Sequence, residues 1–229
     1  MGLADQVEIG NPTQPHCATL LLLDTSGSME GEKVVELNRA LIRFKEETIK
    51  DDLARVRMDL AVLTFGGAIQ LAQDFCSIED FEPPTLIARG GTPMGQAIVK
   101  AADMIEERKQ QYKSKGIDYY RPWLFLITDG APTDMEPGDI TWNEAVNRVH
   151  KGEAEKRFTF FAVAVEPADA ATLAKIAPPS RPPVKLIGTK FVEMFEWLSR
   201  SQAKVSSSKV GDSIHLENPV AAGWGSVSA

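Results

Sequence analysis

The chain has 229 residues, 43% apolar and 25% charged, which is enough for one medium domain with a buried core and too apolar for disorder throughout. Its 25 basic and 32 acidic side chains leave a net charge of −7, which argues against a nucleic-acid groove or an anionic membrane surface, since both need clustered Lys and Arg. Cys17 and Cys76 lack CxxC spacing, and His16, His150 and His215 are scattered, so a disulfide scaffold or a zinc knuckle is excluded. The opening stretch carries Asn11, Pro12 and Pro15 where a signal peptide would be apolar, and the longest apolar run, Cys17 to Leu23, is too short for a bilayer. The expectation is a cytoplasmic protein without membrane insertion.

Residues 1–15 read as an N-terminal extension. Cys17 to Leu23 is a continuous apolar run, the pattern of a strand buried on both faces, and it stops abruptly at Asp24-Thr-Ser-Gly-Ser28. Val34, Leu37, Leu41 and Phe44 then recur at helical spacing between Glu32 and Lys50. Val56 to Phe65 is a second strand, Gly66-Gly67 a tight turn, and Ala68 to Phe75 an antiparallel edge strand. After a Pro-rich and acidic loop, Thr92-Pro93 opens a helix with an apolar stripe of Ala97, Ile98, Ala101, Ala102 and Ile105, which Gly116 stops. Trp123 to Ile127 is a buried strand that runs into Thr128-Asp129-Gly130. Thr141-Trp-Asn-Glu144 has the form of a capping box for a helix reaching Lys156.

Phe158 to Val165 is another strand, followed by a short helix from Ala168 to Ala177, a strand at Val184 to Ile187, and a closing helix marked by Phe191, Met194, Phe195 and Leu198. This order predicts an open, doubly wound α/β domain over residues 16–203. Its sheet is six-stranded and mostly parallel, with one antiparallel edge strand and helices on both faces. Residues 204–229 form a tail in which Trp224 is either loose or folded back.

In such sheets ligands bind beyond the carboxyl ends of the strands, where strand order reverses. Asp24 and Asp129 both follow strands at that edge, and Thr92 can lie beside them. Carboxylates and hydroxyls without His or Cys make a hard, all-oxygen site, suited to Mg²⁺, Mn²⁺ or Ca²⁺. In Asp24-x-Ser26-x-Ser28 alternate residues can turn to one side of a tight loop. Two aspartates neutralise a divalent ion, while neutral hydroxyls leave it electrophilic toward one further anionic oxygen, such as the Asp or Glu carboxylate of a partner protein.

DTSGS, the later Thr-Pro and the TDG turn resemble the von Willebrand factor A (VWA) domain and its metal-ion-dependent adhesion site. The resemblance implies a Rossmann-like VWA fold in which Ser26, Ser28 and Thr92 touch the metal directly, and Asp24 and Asp129 hold it mainly through water. It also implies a protein-binding role without enzymatic activity. LLLDTSGSM, GGTPMGQA and ITDGAPTD look similar to the bacterial tellurium-resistance TerY type, whose members are thought to dock partners in stress-response or phage-defence assemblies.

The bland alternatives are turn and cap roles: Asp24 and Asp129 as turn residues, Thr92 as a plain N-cap, and Asp134, Glu136 and Asp139 as a solvated rim. Met29, Trp142 and Cys17 read as core. The rival function is a metal-dependent hydrolase or phosphotransferase, which normally wants a second carboxylate beside the nucleophile. Here Ser26 stands two residues after Asp24, no lysine follows within the loop, and Gln96 stands where a phosphate loop needs Lys.

Overall fold

The computed structural model describes residue 9 and residues 11–226. β1 (Cys17–Asp24) is buried at every position, with Cys17, Leu21 and Leu23 packed in one core cluster, Leu20 and Leu22 in the other, and Ala18 against Tyr112 and Ile117. A short 3₁₀ turn (Gly27–Met29) leads to α1 (Glu32–Thr48), then α2 (Asp52–Arg57), β2 (Met58–Gly66) and β3 (Ala68–Ser77). α3 (Met94–Ser114), β4 (Trp123–Thr128), α4 (Ile140–Ala154), β5 (Thr159–Ala164), α5 (Ala170–Ile176), β6 (Val184–Leu186), α6 (Phe191–Ser206) and β7 (Gly225–Ser226) complete the chain.

The sheet runs β3-β2-β1-β4-β5-β6-β7, parallel from β2 to β6 and antiparallel at both edges. α1 and α6 cover one face and α3, α4 and α5 the other. The expected mostly parallel α/β sheet is therefore present, with seven strands instead of six. The extra strand is β7: Trp224 is buried against Trp197 with ring centroids 5.4 Å apart, and the chain after it pairs with β6. The boundary expected at residue 203 falls inside α6, which continues to Ser206.

Local chemistry explains the other differences. α1 stops at Thr48, and Asp51 starts the separate α2 by accepting from the Leu53 and Ala54 N–H groups. The cap of α4 is Asp139, which accepts from Trp142 N at 2.6 Å, so Thr141 lies inside the helix and forms no capping box. In the β2–β3 turn only Gly67 has positive φ, at 69°. Gly66 serves close approach, because a Cβ there would lie 2.0 Å from the Thr25 carbonyl oxygen. Met29, Trp142 and Cys17 are core residues, and burial pushes the Cys17 thiol up to about 12.

At the opposite sheet edge lies a buried ionic cluster. Asp59, at the start of β2, accepts from His16 Nδ1 (3.1 Å), an Arg108 guanidinium N–H (2.8 Å) and the Tyr112 hydroxyl (2.5 Å). It ties the last turns of α3 to the first residues of β1 and β2. Burial pushes the Asp59 carboxyl up, but the His16 hydrogen bond and the Arg108 charge outweigh it and hold the group below its ordinary value of 3.8. Burial likewise lowers His16, but its bond to Asp59 and the Asp59 charge leave it raised above 6.5.

The depressed carboxyl contributes stability that is lost as pH falls through its folded pKa, and the raised imidazole contributes stability that is lost as pH rises through its own. Stability from this cluster is thus greatest between the ordinary values, pH 3.8 and 6.5. Asp59→Ala strands Arg108 in the core and should cost about 3–5 kcal/mol in urea denaturation, with a flatter pH profile. A loss under about 1 kcal/mol would show that the cluster is not a structural tie.

Candidate metal centre

Leu23 pairs with Ile127 in the β1–β4 ladder, so both strands end at one sheet edge, where strand order reverses. Asp24 follows the parity of Leu20 and Leu22, toward α3. It is fully buried, accepts from the Ser26 N–H at 2.7 Å through Oδ1 and from the Thr128 hydroxyl at 2.5 Å through Oδ2. The Ser26 and Ser28 hydroxyls are 3.0 Å apart, and Ser28 donates to Asp129 Oδ1 at 2.6 Å. Asp24, Ser26, Thr92 and Asp129 are buried and Ser28 is exposed, so the cluster opens to solvent on the Ser28 side.

Gly130 marks where these groups converge. A Cβ built on it would lie 3.4 Å from Thr92 Oγ1, 3.6 Å from Ser28 Oγ and 3.8 Å from Asp24 Oδ2. Three side-chain oxygens from two separate segments, the Asp24–Ser28 loop and the chain before α3, therefore face one point. Burial raises the Asp24 pKa; hydrogen bonds from Ser26 and Thr128 oppose the rise, and the charge of Asp129 adds to it. Two buried carboxylates beside three hydroxyls form a donor set for a hard divalent cation. Among the described residues there is no group of three or more His, Cys, Asp or Glu able to hold a metal, so the set relies on hydroxyls.

Backbone packing holds the loop. Gly27 N donates to Gly90 O (2.9 Å), Arg89 N to Thr25 O (2.7 Å) and Gly67 N to Gly91 O (2.7 Å). A Cβ on Gly90 would lie 2.5 Å from the Gly67 Cα, and Gly90 has φ 71°. Thr92 is not the cap of α3. Asp134 supplies that function, accepting from Gly95 N (3.0 Å) and Gln96 N (2.9 Å), while Thr133 Oγ1 accepts from Thr92 N (2.9 Å). Asp134 and Asp139 are thus helix caps rather than a merely solvated rim.

Lys33, absent from the sequence-based site, is the main addition. Its ammonium donates to Asp129 Oδ2 and to the Ser28 carbonyl oxygen, the latter at 2.9 Å. The signal for it was a lysine in the first turns of the helix that leaves the DTSGS loop.

The family model of the von Willebrand factor type A domain matches residues 20–194. The chain belongs to that family. VWA domains are commonly protein-binding modules, and they use a divalent metal at the adhesion site. The inter-alpha-trypsin inhibitor heavy chain H4 of Sus scrofa is 29% identical over 143 residues, which are 57% of this chain and 14% of that protein. The chain therefore spans a small part of this relative.

Among solved structures, the pilus adhesin SpaC from Lactobacillus rhamnosus GG superposes with a TM-score of 0.63 at 13% identity, over 86% of this chain and 32% of that one. The proximal thread matrix protein 1 of the mussel byssus, with a zinc-occupied MIDAS motif, gives 0.52 at 17% identity, over 82% and 48%. At such identities these two establish the VWA fold alone. No helix among the described residues is long and apolar enough to cross a membrane.

Gly130→Ala tests the convergence point. The new methyl meets only ordinary contact distances, so the melting temperature in chelator should change by less than about 1 kcal/mol equivalent. Ion binding, followed by calorimetry, should weaken by at least about tenfold because the methyl crowds the shared space. Undiminished binding would place the ion elsewhere.

Proposed function

We propose that this VWA domain is a divalent-metal-dependent docking module. Asp24, Ser26, Ser28, Thr92 and Asp129 hold Mg²⁺, or Mn²⁺ or Ca²⁺, and the ion takes an Asp or Glu carboxylate from a partner protein. The observation that carries this reading is the convergence of Thr92, Ser28 and Asp24 oxygens on one point beside the second buried aspartate, open on the Ser28 side. Ser26, Ser28 and Thr92 are the direct ligands in this reading, and Asp24 and Asp129 act mainly through water. The N-termini of α1 and α3 flank the edge, and their dipoles favour the carboxylates and an incoming anionic group.

A hydrolase or phosphotransferase is the weaker reading. The Asp24 carboxylate is committed to the Ser26 N–H and the Thr128 hydroxyl, and His16 belongs to the ionic cluster at the far edge. The motifs LLLDTSGSM, GGTPMGQA and ITDGAPTD support a cytoplasmic role of the TerY type, in a bacterial tellurium-resistance, stress-response or phage-defence assembly. Residues 16–203 are the VWA unit in this reading, with 1–15 as an extension and 204–229 as a C-terminal segment.

Metal-stripped protein titrated with Mg²⁺, Mn²⁺ and Ca²⁺ should show saturable one-to-one binding that Asp24→Ala abolishes. Partner capture should fail in the same variant and in chelator. No binding at millimolar ion, or binding that survives Asp24→Ala, contradicts the reading. Lys33 and the ion are drawn to the same Asp129 carboxylate, so Lys33→Gln should tighten Mn²⁺ binding by about tenfold in the same titration. Weaker binding in that variant would make Lys33 a support of the site instead.

A further inference from the structure

α1 is apolar on two opposite sides. Leu37, Ala40, Leu41 and Phe44 are buried in the core. On the solvent side, Val35, Ile42 and Ile49 follow one another at intervals of seven residues and are 55%, 52% and 37% exposed. Seven residues make nearly two turns, so these side chains form one line that points away from the core. Single exposed apolar residues need no explanation, but an aligned row is the kind of seam that packs on another helix. Ile87, 72% exposed, stands beside it. The Asn38 side chain, one turn from both Val35 and Ile42, holds the backbone of the preceding residue, Leu86, by bonds of 3.0 and 2.7 Å.

The charges beside the seam have a symmetry of their own. Along one flank, at helical spacing, run Glu32, Arg39, Glu46 and, just past the end of α1, Lys50, all exposed. Their signs alternate, and Ile42 lies at the midpoint of the series. Reversing the direction of the helix about Ile42 therefore sets each charge against the opposite sign. Within the chain, Arg39 reaches Glu36 (2.9 Å), Glu46 reaches Arg43 (3.5 Å) and Lys50 reaches Glu47 (2.8 Å). These are exposed pairs between residues three apart, which contribute little and are readily exchanged for contacts with a partner.

We propose that this face of α1 is a self-association surface, on which two copies of the chain pair their α1 helices antiparallel about a two-fold axis at Ile42. Ile42 then meets its own counterpart, and Val35 meets the partner's Ile49. Arg39 lies against the partner's Glu46 and Glu32 against the partner's Lys50, each pair occurring twice. On the other flank Asn38 faces the partner's Lys45. Helices meeting along about 25 Å bury an area at the low end for specific interfaces, so the association is weak and concentration-dependent. It is independent of the metal reading, because the seam and its charges include none of the five proposed metal-site residues.

Sedimentation velocity on the full chain, from about 10 µM to about 1 mM, reads the association, with thermal melts to confirm that each variant folds. The wild type should pass from monomer toward dimer over this range, in chelator as in Mn²⁺. Ile42→Lys, at an exposed position, places two ammonium groups at the axis and should weaken dimerisation by at least about tenfold. Arg39→Glu and Glu46→Arg should each weaken it by about threefold to tenfold, and the double variant should return to within about twofold of the wild type. A monomer throughout, a dimer that Ile42→Lys leaves intact, or a dimer that forms only with Mn²⁺ overturns the proposal. A double variant as weak as the single ones overturns the antiparallel register.

Discussion

The structure turns on the burial of two aspartates at the carboxyl ends of neighbouring strands. Asp24 and Asp129 are both removed from water, and the charge of one raises the pKa of the other. Such an arrangement is costly unless each carboxylate is hydrogen-bonded and a cation is near. The surrounding groups answer that demand: the Ser26 N–H and Thr128 hydroxyl for Asp24, the Ser28 hydroxyl and the Lys33 ammonium for Asp129. The remaining oxygens of the cluster are hydroxyls, which add coordination without adding charge.

Holding these groups in place takes an unusually close approach of three backbone segments. Thr25, the β2–β3 turn and Gly90 meet at distances where a methyl group would collide with backbone, so Gly66 and Gly90 serve as packing residues. Thr92 is fixed from the other side by Thr133 and by the Asp134 cap on α3. The same helix ends, some five turns later, in the Arg108 and Tyr112 contacts to Asp59. α3 thus spans the domain from the candidate metal centre to the ionic cluster, anchored by polar contacts at both ends.

Much of this was legible in the sequence, for identifiable reasons. Strands buried on both faces give unbroken apolar runs, so β1, β4 and β5 could be read directly, and the aspartates that end β1 and β4 marked the functional edge. Features that depend on distant partners could not be read. Thr92-Pro93 has the form of a helix cap, yet the capping carboxylate comes from Asp134, across the crevice. Trp224 lies among small residues, and only its packing on Trp197 shows why the chain returns as β7. Lys33 and Asp59 each left a trace: a cation beside an acidic loop, and a lone charge within the apolar run of β2. Neither trace names its partner.

If the two aspartates are buried for the sake of a cation, their burial costs stability when the cation is absent. Thermal melts of the wild type and Asp24→Asn, each in chelator and in excess Mn²⁺, test this most directly. The variant should melt no lower than the wild type in chelator, because the buried charge is gone, and Mn²⁺ should raise only the wild type. A variant that loses stability like a core mutant, with an Mn²⁺ response equal to that of the wild type, would show that Asp24 is part of the scaffold and not of a metal site.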